Sequence, residues 1–213
     1  MSVFYKKFKN PIEQVIESGS TANSRRKSYQ NIDNAQNYGV ELELRKRLNF
    51  IGDAALFNDM TFYTNLAYVK SKLDFDGVNN VFDRDRALQG QSPYIINAGL
   101  NYNNTNAGLS ANLLYNRIGQ RISDVGFEGY GDIYENYRNV IDFQLSKQII
   151  KGKGELKLNV NDLLNEAQIF YQNNGDMSKR SYDSGSDNVM AKTRFGTSFS
   201  LSFSYRLGLG KGN

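Results

Sequence analysis

One stretch of the sequence combines aromatic rings with acidic groups in a pattern that could bind a ligand. Its candidate contact residues are Phe127, Tyr130, Asp132, Tyr134 and Tyr137. Aromatic rings stack on planar ligands and sugar faces, and carboxylates accept hydrogen bonds from hydroxyl groups. The same rings could instead anchor strand ends at a membrane interface, where tyrosines are common. The sequence favours the anchoring role and leaves the ligand contact open.

Side chains for catalysis are scarce. The 213 residues include no histidine and no cysteine. This removes the commonest general base, the commonest zinc ligand and every Ser-His or Cys-His nucleophile. It also excludes a disulfide framework and thiolate metal sites. No pair of acidic residues has a spacing that selects it for glycoside hydrolysis. We therefore expect no catalytic residue, no cofactor, no bound metal and no enzymatic activity.

A second acidic stretch, residues 74–83, offers oxygen ligands of the kind that calcium prefers. It departs from the calcium-binding loop pattern because Val78 occupies the third ligand position and glycine comes too early. A solvated loop is the simpler interpretation of this stretch.

The chain has a formal net charge of +4, which raises the question of a nucleic-acid partner. Its basic clusters, residues 25–27 and 45–47, fall at the edges of predicted strands and not on one helix face. We expect no nucleic-acid partner.

Alternation of apolar and polar residues is the strongest pattern in the sequence. Near the end of the chain, Phe199, Leu201, Phe203 and Tyr205 alternate with four serines. Such alternation is typical of strands with one apolar face. It predicts about eight strands, around residues 3–8, 38–44, 61–73, 96–102, 109–115, 141–145, 156–160 and 199–205.

Hydropathy separates two kinds of membrane protein. Only 39% of the residues are hydrophobic and the mean hydropathy is -0.58. A membrane helix needs about 20 consecutive apolar residues, which this chain lacks. A transmembrane barrel tolerates low hydropathy because its residues face lipid and lumen in turn.

The predicted connections alternate between long and short. The long ones are residues 10–30, 74–92, 120–138 and 164–193, and the shorter ones are 49–59, 103–108 and 150–154. Outer-membrane barrels have short periplasmic turns and long external loops. We therefore predict an all-β fold, an antiparallel transmembrane β-barrel whose strands follow one another as a meander.

Four segments resemble the late strands of TonB-dependent outer-membrane receptors. They are Asn37–Leu44, which reads NYGVELEL, Arg86–Leu100, which contains LQGQSPY, Val140–Asn165, which ends in NDLLN, and the closing strand Gly196–Leu207. The resemblance implies the cell outer membrane of a Gram-negative bacterium and a barrel of roughly 22 strands. It also implies import of a scarce nutrient, such as an iron chelate, cobalamin or a glycan, driven through TonB.

About eight strands make up only part of such a barrel. We expect residues 1–213 to form its C-terminal segment, with no plug domain and no signal peptide of their own. The expected partners are outer-membrane lipid, the missing N-terminal barrel and plug, and TonB only through that missing region. The ligand is unidentified, and the long loops would close over it.

Two alternatives stay open. The chain could be a self-contained eight-stranded barrel with an adhesive, structural or assembly role, its lumen filled by Glu41, Glu43, Arg45 and Lys157. It could also be a soluble β protein that binds sugars. Dependence on detergent separates the soluble protein from both barrels.

Overall fold

The computed structural model describes residues 1–19, 21, 24–74, 85–127, 129–174 and 181–207. Within these residues the chain is almost entirely β-structure. In chain order the strands are β1 Ser2–Lys9, β2 Ile12–Ser18, β3 Arg25–Asn31, β4 Asn34–Arg47, β5 Met60–Asp74, β6 Tyr94–Asn104, β7 Leu109–Ile118, β8 Arg121–Asp124, β9 Ile133–Glu135, β10 Arg138–Ile149, β11 Gly154–Asn161, β12 Gln168–Gln172, β13 Asn188–Thr193 and β14 Ser198–Tyr205. A single helical turn, α1 (Ala55–Asn58), and a 3-10 turn, Ile150–Gly152, lie between strands.

Eight strands form one antiparallel sheet, which we call the wall. Their order is β1-β4-β5-β6-β7-β10-β11-β14, so each strand of the wall pairs with the next wall strand along the chain. These are the eight strands that the alternation predicts, and the all-β meander is confirmed. Among the described residues β1 and β14 pair on one side only, so the sheet is open.

One face of the wall is apolar from strand to strand. Directly opposed residues of an antiparallel pair share a face, so the register identifies its rows. One row across β5, β6, β7, β10, β11 and β14 consists of Phe62, Leu100, Leu113, Phe143, Val160 and Phe199. Val160 is buried in this row, but the other side chains are half-buried or exposed, and Phe199 is 71% exposed. The face is therefore shaped to meet an apolar medium.

The opposite face of the wall is polar. Amide and hydroxyl side chains form hydrogen bonds across neighbouring strands, with Asn97 to Asn116 at 2.6 Å, Asn101 to Asn112 at 3.0 Å, Gln144 to Asn159 at 2.7 Å and Asn159 to Ser200 at 3.1 Å. Glu41, Glu43, Arg45 and Lys157 belong to this face by register. Such cross-strand hydrogen bonds stabilise the sheet and leave a hydrophilic inner surface.

The ends of the wall differ in their connections. The turn between β6 and β7 is four residues long, and Gly108 has a φ of 58° that suits a reversal of the chain. The turn between β10 and β11 uses positive φ at Lys151 and Gly152. The long connections all lie at the other end, so the predicted alternation of long and short connections is confirmed.

The long connections contain more structure than the sequence predicts. Strands β2 and β3 form a hairpin between β1 and β4, and β13-β12-β9-β8 form a four-stranded sheet. The assignment of residues 10–30, 120–138 and 164–193 as loops is thus wrong in detail, because six short strands lie in or overlap these ranges. We call these six strands, together with residues 85–93 and the described residues between β8 and β9, the loop module.

Two apolar clusters hold the loop module together and attach it to the wall. The first contains Val15, Ile122 and Val125, with Phe127 and Tyr134 packed against them. The second cluster consists of Ile32, Ala35 and Leu73, with Phe8 and Leu88 against them, and joins the module to the polar side of the wall. The chain's fully buried apolar side chains are therefore found mainly at the end of the wall that carries the long connections.

The acidic stretch proposed as a calcium loop lies almost wholly outside the described residues, which stop at Asp74 and resume at Asp85. Among the residues that the structure does describe, no three acidic side chains come together as a potential metal site.

No helix in the described part of the chain has the length and apolar character needed to cross a membrane.

Candidate functional site at the long-connection end of the wall

The loop module is built from segments that are distant in sequence. Val15 of β2 and Val125 form a parallel bridge, flanked by a hydrogen bond of 2.8 Å from the Ile16 N–H to the Val125 carbonyl oxygen. A second bond of 3.1 Å runs from the Val125 N–H to the Gln14 carbonyl oxygen. The hairpin is thereby fixed to the connection between β7 and β10, which contains the predicted ligand residues.

A buried ion pair ties the hairpin to residues 85–93. The Arg86 guanidinium donates two hydrogen bonds to the Glu13 carboxylate, at 2.6 and 2.9 Å. The two side chains are 2% and 1% exposed. A buried charge is costly unless it is paired and hydrogen-bonded, so each of these residues depends on the other.

Gln89 completes the junction. Its backbone N–H donates to the Glu13 carboxylate at 2.7 Å, and its side-chain oxygen accepts from the Gln14 N–H at 2.6 Å. Its side-chain nitrogen donates to the Ser123 carbonyl oxygen. One glutamine therefore joins three segments of the module. Sequence reasoning missed this junction, because Glu13 lies in a predicted loop and Gln89 has no periodic neighbour.

Two of the five predicted ligand residues come together. The rings of Phe127 and Tyr130 stack with their centroids 5.7 Å apart. The Arg25 guanidinium lies 4.3 Å from the centroid of the Tyr130 ring, which is the geometry of a cation–π contact. This pair forms a partly exposed aromatic surface beside the hairpin.

The other three predicted residues do not join this stacked pair. Asp132 is buried and accepts a hydrogen bond of 2.9 Å from the Gly126 N–H. Tyr134 packs on the first apolar cluster and stacks on Tyr171, with centroids 5.7 Å apart. Tyr137 is exposed on the apolar face of the wall, with the Arg117 guanidinium 3.8 Å from its ring centroid. Asp132 and Tyr134 therefore take part in internal packing. Tyr137 lies where an anchoring residue is expected.

Tyr171 is the most enclosed aromatic residue of the four-stranded sheet. It is fully buried between Tyr134 and Tyr182, whose ring centroid is 5.1 Å away. Burial raises the pKa of the Tyr171 phenol, and the neighbouring Tyr134 and Asp187 act in the same direction. The phenol therefore stays neutral throughout the physiological range.

The exposed hairpin shows the opposite electrostatic effect. Hydrogen bonds from Gln30 and then Arg26 lower the pKa of the Glu17 carboxyl. Lys27 of the same hairpin approaches the Asp124 carboxylate to 2.7 Å. The first contacts favour the ionised form of Glu17, and the Lys27–Asp124 ion pair joins β3 to β8.

A cavity of about 130 Å³ lies between the polar face of the wall and the module. Its lining residues are Asn116, Ile118, Gly119, Arg121, Glu135, Asn136, Arg138, Val140 and Gln168. The Arg121 guanidinium is 2.7 Å from the Glu135 carboxylate, which also accepts from the Gln168 amide at 2.7 Å. The buried Asn136 side-chain oxygen has no hydrogen-bond partner among the described atoms. The cavity thus presents donors and acceptors for a polar ligand, and sequence reasoning missed it.

A cavity of about 680 Å³ opens at the other end of the same polar face. It is lined by Arg45, Arg47, Asn58, Asp59, Thr61, Asn101, Asn103 and Thr105. The polar face therefore carries hydrophilic recesses at both ends of the wall.

This combination of features defines a class of protein. An antiparallel meander with one apolar face, one hydrophilic face, short turns at one end and long connections at the other is typical of the wall of a transmembrane β-barrel. The apolar face is the surface that meets lipid, and the long connections lie outside the cell.

The comparison of sequences gives the family. The chain matches the outer membrane protein beta-barrel family over residues 1–205, and it belongs to that family. A search of curated proteins finds no significant match. The predicted location in the outer membrane is confirmed.

Three solved structures share the fold. The copper transporter OprC has a TM-score of 0.59 and 16% identity, with 95% of this chain and 28% of that chain covered. The FrpB iron transporter from Neisseria meningitidis has a TM-score of 0.53 and 13% identity, with 95% and 27% covered. The ferric yersiniabactin uptake receptor FyuA from Yersinia pestis has a TM-score of 0.51 and 13% identity, with 88% and 32% covered.

The chain spans about a third or less of the length of each of these structures. At these identities the similarity concerns the fold. The predicted likeness to the barrels of TonB-dependent receptors is confirmed at that level, and the protein is an outer-membrane β-barrel protein. The matched proteins are two transporters and an uptake receptor, and the expectation that this chain has no enzymatic activity stays a prediction.

Proposed function

We propose that residues 1–213 form the C-terminal part of the barrel of a TonB-dependent outer-membrane transporter that imports a scarce nutrient. The nutrient classes are an iron chelate, cobalamin or a glycan. The observation that carries the proposal is the open eight-stranded wall. The fold of the chain matches a quarter to a third of the length of larger transport proteins. On this proposal the rest of the barrel, its plug and the TonB-contacting segment lie outside these residues.

The edges of the wall support a larger barrel. β1 and β14 each present one row of backbone groups without a partner strand among the described residues. Unpaired backbone groups are costly in a lipid bilayer, where no water replaces the missing bonds. Additional strands next to β1 and β14 would satisfy them and would enlarge the lumen enough to hold a plug.

The loop module would supply part of the external ligand surface. The Phe127–Tyr130 pair provides rings for stacking, and Arg121 and Glu135 provide charged groups at the cavity between the wall and the module. Carbonyl and hydroxyl groups of a chelate or a glycan could hydrogen-bond to such a set. Asp132, Tyr134 and Tyr137 would support this surface by packing and anchoring. The prediction that all five residues contact ligand stays a prediction.

Uptake by intact cells tests the proposal directly. Cells with and without the gene would be compared for accumulation of labelled ferric chelates, cobalamin and glycan oligomers, each with and without depletion of TonB. We expect accumulation of one of these classes to require both the gene and TonB. Absence of any gene-dependent, TonB-dependent accumulation would contradict the transporter proposal.

The neighbours of the edge strands distinguish the larger barrel from a self-contained one. A photoreactive residue would replace the exposed Tyr5 of β1 or the exposed Phe203 of β14 in the protein as it occurs in outer membranes. We expect crosslinks to peptides outside residues 1–213. A crosslink that joins β1 to β14 would instead indicate an eight-stranded barrel with an adhesive, structural or assembly role.

A further inference from the structure

The apolar face of the wall changes character near its outer end. Tyr5 of β1 lies opposite Tyr38 of β4, and Tyr68 of β5 lies opposite Tyr94 of β6. Tyrosine rings collect at the level where hydrocarbon gives way to headgroups. These four tyrosines therefore mark the outer boundary of the membrane on this part of the wall.

Four lysines occupy the same face at this boundary and beyond it. Lys70 lies in the row of Tyr38, and Lys72 lies in the next row, opposite Gln36. Lys7 of β1 also lies opposite Gln36, on the side of β4 away from β5. Lys9 lies one row closer to the outer end of the wall. All four side chains are exposed. We call Lys7, Lys9, Lys70 and Lys72 the lysine patch.

The lysine patch differs from the loop module in its ion pairs among the described residues. None of its four ammonium groups lies within ion-pair distance of a carboxylate in the part of the chain that the structure describes. Asp74, at the end of β5, is the acidic residue that shares the outermost row of this surface. In the loop module, by contrast, Lys27 and Arg121 each pair with a carboxylate.

The spacing of the patch suits a ligand with separate anionic groups. Lys7 and Lys72 are two strand spacings apart, roughly 10 Å, and Lys70 and Lys72 are two residues apart along one strand, roughly 7 Å. A lysine ammonium on its flexible stem binds phosphate as a point charge and can adjust over such distances.

We infer that the lysine patch binds the phosphate groups of an anionic lipid in the outer leaflet, whose acyl chains lie on the apolar face directly below. The continuity of the patch with the lipid-facing surface selects a lipid over a soluble anion, because a single molecule can contact both. This inference rests on the outer-membrane barrel and not on the nutrient, the plug or TonB.

Binding of lipid A, a phosphorylated glycolipid, to the protein purified from outer membranes tests the inference. The probes are diphosphoryl lipid A, monophosphoryl lipid A and phosphatidylcholine, with bound lipid counted by native mass spectrometry over a lipid titration. We expect the affinity to decrease from diphosphoryl lipid A to monophosphoryl lipid A and then to phosphatidylcholine. Each lysine-to-glutamine substitution in the patch should weaken binding of the diphosphoryl form about fivefold, and added salt should weaken it further.

The matched control carries Lys46→Gln and Lys147→Gln, which remove two lysines from the same face at the opposite end of the wall. This variant should bind diphosphoryl lipid A like the original protein, and heat-modifiable migration on a gel verifies that both variants fold. Equal affinity of the K70Q/K72Q variant and the original protein would overturn the inference. So would equal affinity for water-soluble glucosamine phosphate, which would assign the patch to a free anion.

Discussion

The wall and the loop module differ in how far their apolar side chains are exposed to solvent. In the wall, Phe199, Leu201 and Phe203 are 57–71% exposed, and the apolar face continues across all eight strands. In the module, Val15, Val125 and Tyr171 are completely buried. The wall is built for hydrocarbon, where side chains need no protein cover, and the module is built for water, where they do. One chain therefore meets two solvents, and a substitution should have different effects in its two regions.

The largest difference is expected at the buried ion pair of the module. Arg86→Ala leaves the Glu13 carboxylate buried without its partner, which costs about 3–5 kcal/mol. Backbone hydrogen exchange should become much faster at Ile16 and Val125, while the strands of the wall should keep their protection. Arg26→Ala, which breaks an exposed pair in the same hairpin, should change little.

An equal loss of protection in the wall would show that module and wall form one cooperative unit. An unchanged module would show that the buried pair does not hold the hairpin. The first result would contradict the separation of the two regions, and the second would contradict the role of the buried pair.

The next largest effect concerns the two faces of the wall. Leu113 and Leu114 are adjacent and almost equally exposed, at 42% and 41%, but Leu113 faces the apolar side and Leu114 the polar side. Leu113→Arg should destabilise the folded barrel by about 2–4 kcal/mol near the bilayer centre. Leu114→Arg should cost far less, because it lies opposite Asp142 on the hydrophilic face.

Denaturant titrations of the protein in lipid vesicles would measure this difference. A larger loss for the Leu114 variant, or equal losses, would mean that the faces are assigned the wrong way round or that both meet the same medium.

The smallest effect is confined to alkaline pH. Because burial raises the pKa of Tyr171 above the unfolded value of about 10, its stabilising contribution is fully present below pH 10 and is lost as the pH rises further. The near-ultraviolet circular dichroism of the module should therefore decline above pH 10. Tyr171→Phe should flatten that part of the profile, and identical profiles for the two proteins would contradict the account.

The wall could be predicted from the sequence because its signal is local. Alternation of side chains within one strand fixes which face is apolar, as in the closing strand of Phe199, Leu201 and Phe203. Order and register then follow from short turns such as the one at Gly108. A meander needs no information from distant parts of the chain.

The loop module could not be predicted because its contacts join distant segments. Glu13 and Arg86 are 73 residues apart in sequence, and the strand Ile133–Glu135 has three residues, too few for a periodic pattern. Residue type alone selected Asp132 and Tyr134 as candidate ligand contacts, and it could not show that both also take part in internal packing. Only the three-dimensional arrangement distinguishes a supporting side chain from one that faces a ligand.

The central claim is that the apolar face of the wall meets hydrocarbon and the polar face meets water. Because the chain has no cysteine, single nitroxide labels can be attached at engineered cysteines along β11 in the barrel in a lipid bilayer. Electron paramagnetic resonance should then show high oxygen accessibility at Leu156 and Leu158. A water-soluble nickel complex should instead reach labels at Lys157 and Asn159. Loss of this alternation, or its reversal, would contradict the account.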